Sequence, residues 1–240
     1  MTDESTAREG VASPGAVAVL VPAGGAGSRL GGQRKQYRTL GGQWVLVHTL
    51  RAIDAHTAVD HLVVAAPADA LAATTDKLRA AGLSTLTAVV AGGDSRQGSV
   101  RNALRAVPSA VTITLVHDAV RPFVRAEAIT QVIAATRAHG AAALALPVAD
   151  TLRRSAGETF GKTVDRAGLF RMQTPQGFRR DWLETAHRAA ASQGRTATDD
   201  VALVQRQGHA VRIVRGSRRN FKITTPEDWA LAQTLWGISH

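Results

Sequence analysis

Five apolar runs, at 16–22, 61–66, 85–90, 111–116 and 141–148, alternate with amphipathic stretches at 44–55, 68–81, 95–107, 125–138, 180–192 and 199–207. Strands and helices in alternation leave the backbone few choices. Parallel strands need crossovers, and the crossovers place helices over both faces of the sheet. The chain is therefore expected to be α/β: a Rossmann-like, mainly parallel twisted sheet with helices on both faces. No linker, composition shift or fixed-period repeat divides it, so 16–240 reads as one domain. Residues 150–172 interrupt the rhythm. There Asp150, Thr151, Arg153, Arg154, Lys162, Asp165 and Arg166 gather around Gly157, Gly161 and Gly168, too polar for a core and too long for an ordinary connection.

Composition sets the outer bounds. The 240 residues, 45% hydrophobic, suffice for one such core, and no apolar run reaches the roughly 18 residues of a membrane span. Met1–Gly15 carries acidic and small residues without an apolar h-region, which predicts a disordered tail rather than a signal peptide. With no cysteine, disulfides, thiolate metal sites and a cysteine nucleophile are excluded, and the expected location is cytoplasmic. A net charge of +10, from 29 basic and 19 acidic residues, would suit nucleic acid. The arginines are scattered, however, and one tyrosine with five phenylalanines offers no stacking platform, so no nucleic-acid partner is expected. A substrate with several phosphates accounts for part of the excess, and a solvated arginine-rich surface for the rest.

The first strand runs straight into Pro22-Ala23-Gly24-Gly25-Ala26-Gly27-Ser28-Arg29, with Gly31, Gly32, Arg34 and Lys35 close behind. Glycines let the backbone N–H groups approach a phosphate, and the cations meet its charge. A Walker A loop is excluded, because Lys35 follows Arg34 and precedes Gln36 instead of standing in Gly-Lys-Ser/Thr. The dinucleotide fingerprint also fails: Leu30 occupies the third glycine position, and no second strand closes in time to present an acidic ribose ligand about 20 residues on. What remains is Gly-x-Gly-x-Arg followed by a lysine, the loop of nucleotidyltransferases that join a nucleoside triphosphate to a sugar phosphate.

Further segments follow in order: Gly92-Gly93-Asp94-Ser95-Arg96-Gln97-Gly98-Ser99-Val100, Val116-His117-Asp118-Ala119-Val120-Arg121-Pro122, Thr163-Val164-Asp165-Arg166, Thr174-Pro175-Gln176, Thr198-Asp199-Asp200 and Lys222-Ile223-Thr224. With them, residues 17 to 235 resemble the 2-C-methyl-D-erythritol 4-phosphate cytidylyltransferase family. The resemblance implies the nucleotide-diphospho-sugar transferase type of fold, with 150–172 as a protruding β-arm exchanged between subunits of a homodimer. It implies cytidylyl transfer from CTP to a sugar-alcohol phosphate in isoprenoid precursor synthesis, with Mg²⁺. Arg29, Lys35 and Lys222 are then catalytic, and Ala23, Gly24, Gly25, Gly27, Gly93, Asp94 and Ser99 bind the nucleotide. Arg121, Asp150, Thr151, Arg166, Thr174 and Thr198 bind the acceptor, and Asp118 holds the metal. Ribitol 5-phosphate cytidylyltransferase, with nearly the same motifs, and a noncatalytic nucleotide-binding protein on the same fold are the alternatives.

The residues themselves leave some roles open. Asp118 at a strand end suits a metal ligand or a turn cap, and Arg121 a phosphate contact or an ion pair with Asp118. A metal phosphohydrolase built on His117-Asp118 lacks a companion ligand at helical i, i+4 spacing. Ser99 could serve the helix backbone, Thr198-Asp199-Asp200 could be an N-cap with an acidic first turn, and Lys35 and Lys222 could be solvated cations. Two positions depart from the family pattern, Gly24 where alanine is common and Arg34 where proline is frequent. The extra glycine loosens the free loop and predicts weaker nucleotide binding.

Overall fold

The computed structural model describes residues 15–25 and 34–239. The chain begins with β1 (Ala16–Pro22), a short hairpin of β2 (Thr39–Leu40) and β3 (Gln43–Trp44), and α1 (Val45–Asp54). It continues through β4 (His61–Ala66), α2 (Leu71–Ala80), β5 (Leu86–Ala91), α3 (Arg96–Leu104), β6 (Val111–Val116), α4 (Ala126–His139) and β7 (Ala141–Pro147). A second hairpin, β8 (Leu152–Ala156) and β9 (Thr159–Val164), precedes β10 (Phe170–Arg179), α5 (Arg180–Ser192), α6 (Asp200–Gln205), β11 (Arg212–Arg215) and α7 (Pro226–Ser239). Seven strands form the main sheet in the order β11-β7-β10-β6-β1-β4-β5. All neighbours pair in parallel except β10, which runs antiparallel to both β6 and β7.

Successive side chains on a strand point to opposite faces, and β1 uses that period to serve two cores. Val17, Val19 and Val21 meet Leu46 and Leu50 of α1, Leu78 of α2, and Ile129 and Val132 of α4. Ala18 and Leu20 meet Val100 and Leu104 of α3, Leu183 and Ala186 of α5, and Leu203 and Val204 of α6. Because both faces are covered, β1 can be apolar at every position, the pattern expected of a central parallel strand. Each fully buried leucine here contributes about 1.5–3 kcal/mol of transfer free energy.

The α/β expectation holds, and its boundaries shift by a few residues. The strand expected at 85–90 is Leu86–Ala91, and the helix expected at 68–81 opens with a single tight turn, Ala68–Ala70, ahead of α2. The helices expected at 95–107 and 199–207 end earlier, at Leu104 and Gln205. The stretch 150–172 does contain a separate two-stranded hairpin, β8–β9, whose residues are mostly exposed on both faces. Its far boundary moves, because Phe170, Arg171 and Met172 are already in β10, paired with Pro147, Leu146 and Ala145. The expected tail 1–15 lies outside the described residues but for Gly15.

Candidate active site

The parallel strands β1, β4, β5 and β6 share one polarity, so the loops that leave their carboxyl ends collect on one edge, the usual ligand side of such sheets. Backbone bonds lock those loops together: Ala23 N–H donates to Ala65 O at 2.8 Å, Gly92 N–H to Ala66 O at 2.6 Å, and His117 N–H to Leu20 O at 2.9 Å. Two adjoining cavities open there. One, of about 150 Å³, is lined by Gly24, Gly25, Lys35, Arg96, Ser99 and Asp118, with Lys222 at its wall. The other, of about 390 Å³, is lined by Arg121, Asp150, Arg171, Gln173, Arg218 and the same Lys222. A larger cavity of about 580 Å³ lies elsewhere, among Gly15, Val111, Arg137 and Arg179. It sits by the start of β1 and β6, away from every motif, so size does not decide the matter.

Asp118 is the electrostatic centre. Its Oδ2 stands 3.1 Å from Arg121 Nε and 3.2 Å from Lys222 Nζ, and its Oδ1 3.4 Å from Arg96 Nε. Burial alone would raise its carboxyl, but Lys222, Arg96 and Arg121 override that and hold it far below the ordinary carboxylate range. Three cations around one anion leave a surplus of positive charge facing the cavities, suited to phosphate oxygens. Below lies a directed chain of hydrogen bonds. His117, pushed down to about 4 by burial, is neutral at pH 7. Its Nε2 is 3.2 Å from Arg121 O, a carbonyl that can only accept, so Nε2 carries the proton and Nδ1 accepts from the Thr174 hydroxyl at 3.2 Å. Thr174 Oγ1 in turn accepts the Asp118 N–H at 3.0 Å.

Tight packing explains the small residues. Ser99 Oγ donates to Ser95 O at 2.9 Å and accepts from Gly93 N–H at 3.1 Å, so it serves the backbone while bordering the cavity. A Cβ on Gly93 would come within 2.9 Å of Gly98 Cα in the first turn of α3, so glycine is required there. A Cβ on Gly24 would sit 3.0 Å from Ser99 Oγ, a contact that works against the flexibility argument for that position. Gln36, 3% exposed, braces the glycine loop by donating from Nε2 to Ala23 O at 2.7 Å and Gly25 O at 3.1 Å.

The structure thus brings Ala23, Gly24, Gly25, Lys35, Ser99, Asp118 and Lys222 to one cavity, and Arg121 and Asp150 to its neighbour. Gly93 lies beneath, held by Ser99, and Thr174 is 3% exposed and reaches the site only through Asp118. Asp94, Thr151 and Thr198 are exposed and line neither cavity; Arg166 is exposed and donates to Ala149 O. Asp199 is an N-cap, accepting the Ala202 N–H at 3.0 Å, as the bland reading of that segment expected. Gly27 and Arg29 fall outside the described residues. Arg121 makes the ion pair with Asp118 and also lines the second cavity.

From the sequence, Gln36, Arg96 and His187 carry no assigned role, and Asp200 only its place in the Thr198-Asp199-Asp200 segment as an acidic first turn. Arg96 Nη1 is 2.7 Å from Asp200 Oδ2, and His187 Nε2 is 2.9 Å from Asp200 Oδ1, which extends the charged cluster of Asp118 beneath α5 and α6. Burial acts to raise the Asp200 carboxyl, and Arg96 and His187 bring it below its ordinary value. Arg96 and Asp200 stand inside motif segments, and that was the available signal; Gln36 and His187 are set by tertiary contacts alone.

For a metal, the described residues offer no group of three or more His, Asp or Glu. Mg²⁺ commonly uses one or two carboxylates plus substrate phosphates, and Asp118 fits that limited demand. Its Oδ1, whose ion-pair contact among the described residues is the long 3.4 Å one to Arg96, is the oxygen better placed to take it.

Residues 17–237 match the family described as 2-C-methyl-D-erythritol 4-phosphate cytidylyltransferase (IspD). The enzyme of that name from Salinibacter ruber is 60% identical over 220 residues, covering 92% of each chain. Its Deinococcus radiodurans counterpart is 44% identical over 220 residues, covering 92% of this chain and 89% of its own. The crystal structure of the Thermus thermophilus enzyme superposes with a TM-score of 0.77 at 36% identity, over 90% of this chain and 96% of that one. With its family model matched over 17–237 and a relative 60% identical over 92% of each chain, on a fold shared with that family's solved structures, the chain belongs to the 2-C-methyl-D-erythritol 4-phosphate cytidylyltransferase family.

Proposed function

We propose that the chain transfers the cytidylyl group of CTP to 2-C-methyl-D-erythritol 4-phosphate, giving 4-diphosphocytidyl-2-C-methyl-D-erythritol and pyrophosphate. The observation that carries this reading is Lys222, which lines both cavities at once. A triphosphate in the first cavity and an acceptor phosphate in the second would meet at that ammonium. An acceptor phosphate oxygen forms a bond to the α-phosphorus of CTP as the bond to the pyrophosphate oxygen breaks. The nucleophile arrives ionised, so no general base is needed, and the protein's task is alignment and charge stabilisation. Lys35, Lys222 and Arg29 stabilise the charge that builds on the five-coordinate phosphorus. Lys222 is held by Asp118, and Asp118 by Arg121, Arg96 and the Thr174 hydroxyl.

The backbone of Ala23, Gly24, Gly25 and Gly27, with Gly93, Asp94 and Ser99, receives the nucleotide. Arg121 and Asp150 receive the acceptor, joined by Thr151, Arg166 and Thr198 in a homodimer in which the β8–β9 arm of one subunit reaches the site of the other. Phe160 on that arm is 85% exposed, an apolar group that a partner surface would cover. A Mg²⁺ ion held by Asp118 and the phosphates would neutralise triphosphate charge. No helix is long and apolar enough to cross a membrane among the described residues, and we place the enzyme in the cytoplasm.

Pyrophosphate release with Mg²⁺ tests the reading, comparing CTP with ATP, GTP and UTP, and methylerythritol 4-phosphate with ribitol 5-phosphate. Release confined to CTP and methylerythritol 4-phosphate is expected. Preference for ribitol 5-phosphate would transfer the assignment to that reaction, and silence with every pair would leave a nucleotide-binding protein.

A further inference from the structure

Strand β10 leaves its ladder with β7 in the middle. Met172 pairs with Ala145 and Gln176 with Ala143, so Gln173, Thr174 and Pro175 stand opposite Leu144 and bulge from the sheet. The polar groups freed there turn to the segment between β11 and α7. Gln173, 6% exposed, commits its whole amide to that segment: Nε2 donates to Ser217 O at 2.8 Å and to Asn220 O at 3.1 Å, and Oε1 accepts the Ser217 N–H at 3.3 Å. Next to it, the Thr174 carbonyl accepts from Asn220 Nδ2 at 2.8 Å, and Asn220 is 2% exposed. A Cβ on Gly216 would overlap Gln173 Oε1, so glycine is what lets the segment lie against the amide.

That segment carries Lys222, whose Nζ stands 3.2 Å from Asp118 Oδ2. The lysine side chain is 37% exposed, and an ion pair at that exposure constrains a flexible stem only weakly. The main chain on either side of it is held more firmly. Arg121 Nη1 donates to Asn220 O at 2.7 Å while Arg121 Nε stands 3.1 Å from Asp118 Oδ2, so one guanidinium ties the backbone ahead of Lys222 to the carboxylate that aims it. Beyond Lys222, the Ile223 N–H donates to Val120 O at 3.0 Å. Asn220 O thus accepts from Arg121 and Gln173 together, and Lys222 lies between that carbonyl and the Ile223 bond. Gln173 borders the second cavity, but both its amide hydrogens and its oxygen already have partners in the segment.

We propose that Gln173 is a positioning residue for Lys222. Through Ser217 and Asn220 it fixes the segment that presents the ammonium between the two cavities, and it therefore acts on the transfer step rather than on the binding of either substrate. The inference rests on Lys222 being the group at which the two phosphates meet. A misplacement of about 1 Å in such a site costs up to about 10²-fold in rate.

Gln173→Met removes the amide at nearly constant length. Gln173→Glu keeps the shape and sets an oxygen against the carbonyls of Ser217 and Asn220. Each is compared with wild type, with Lys222→Met and with its own double variant in pyrophosphate release, the rates being referred to the folded fraction found by urea denaturation. Both should lower kcat by about 10–100-fold and move the KM for CTP and for the acceptor by less than about threefold. Each double variant should stay within about twofold of the kcat of Lys222→Met, because the aim of the segment is immaterial once the ammonium is gone. Hydrogen exchange at the Asn220 and Ile223 amides should accelerate by about tenfold or more in both Gln173 variants. A kcat near wild type, a loss carried by KM, a double variant slowed by the product of the two single effects, or unchanged exchange overturns the positioning role. Should methionine prevent folding, the glutamate variant and its double decide by the same criteria. Silence of wild type with every substrate pair refutes the substrate assignment instead, and the exchange rates still decide whether Gln173 holds the segment.

Discussion

Replacing Arg96 by methionine keeps the length of the aliphatic stem and removes the one charge shared by Asp118 and Asp200. The two carboxylates lose unequal amounts. Asp118 gives up its 3.4 Å pair with Arg96 but retains Arg121 and Lys222. Asp200, 1% exposed, gives up its 2.7 Å partner and, among the described residues, keeps the His187 ring against its carboxylate. Stranding one member of a buried pair costs roughly 3–5 kcal/mol, and the Arg96 side chain is 27% exposed, which favours the lower end. We expect a loss of about 3 kcal/mol, or a Tm lower by about 6–12 °C for a chain of this size. Urea denaturation of wild type, Arg96→Met, Asp200→Asn and the double variant measures it. Asparagine keeps an acceptor for His187 without the charge, so the double variant should recover at least half of the loss. The pH dependence has a definite sign. Asp200 lies below its ordinary 3.8 in the folded protein, so its contribution is present above that value and lost as pH falls through the folded one. The cost of Arg96→Met should therefore shrink on acidification. A loss under about 1 kcal/mol at pH 7, or no recovery in the double variant, refutes the reasoning.

Lys222→Met should lower kcat/KM for pyrophosphate release by about 10²–10³, as expected for one stabilising group in a dry site, and leave the urea midpoint nearly unchanged because Asp118 keeps two other cations. An equally large fall in stability would mean that Lys222 acts structurally. Burial takes His117 from 6.5 down to about 4, so the unfolded chain binds its proton first: the contribution is complete above pH 6.5 and is lost as pH falls toward 4. Its size is about 3 kcal/mol, and His117→Gln should flatten the stability slope between those limits in denaturant titrations. Gly24→Ala sets reduced loop entropy, about 0.4–1 kcal/mol, against the 3.0 Å approach to Ser99 Oγ; calorimetry should show CTP affinity rising by no more than about fivefold, and any weakening means that the contact wins. For the homodimer proposed through the arm, wild type should sediment as a dimer and Phe160→Glu as a monomer; a monomeric wild type, or a coefficient unchanged by the substitution, would exclude the arm as a dimer contact.

What could be read in the sequence follows from the range of the forces involved. The strands β1, β4 and β6 are legible because burial on both faces makes all of β1, β4 after His61, and four of the six β6 positions apolar, a local pattern. The glycine loop and the Asp118 strand end are legible because backbone approach and strand polarity constrain residue type at fixed spacing. β10 is not, since it joins the sheet antiparallel between β6 and β7 with Gln173, Thr174 and Gln176 at its centre, polar residues whose burial is made acceptable by partners far away. Gln173 reaches Ser217 and Asn220, and Gln176 reaches Asp199. α7 escapes for another reason: Trp229, Leu231, Leu235, Trp236 and Ile238 surround it, and without one apolar stripe the helical period does not appear. The Arg96–Asp200 pair spans 104 residues of sequence, and no spacing rule operates over that distance. Local patterns thus name the residues that face the ligand, while tertiary contacts decide which of those can hold position. Lys222 shows the dependence: its ammonium is aimed by the Asp118 carboxylate, which Arg121 and Arg96 also hold while Thr174 accepts the Asp118 backbone N–H, and only the fold places those three around one aspartate.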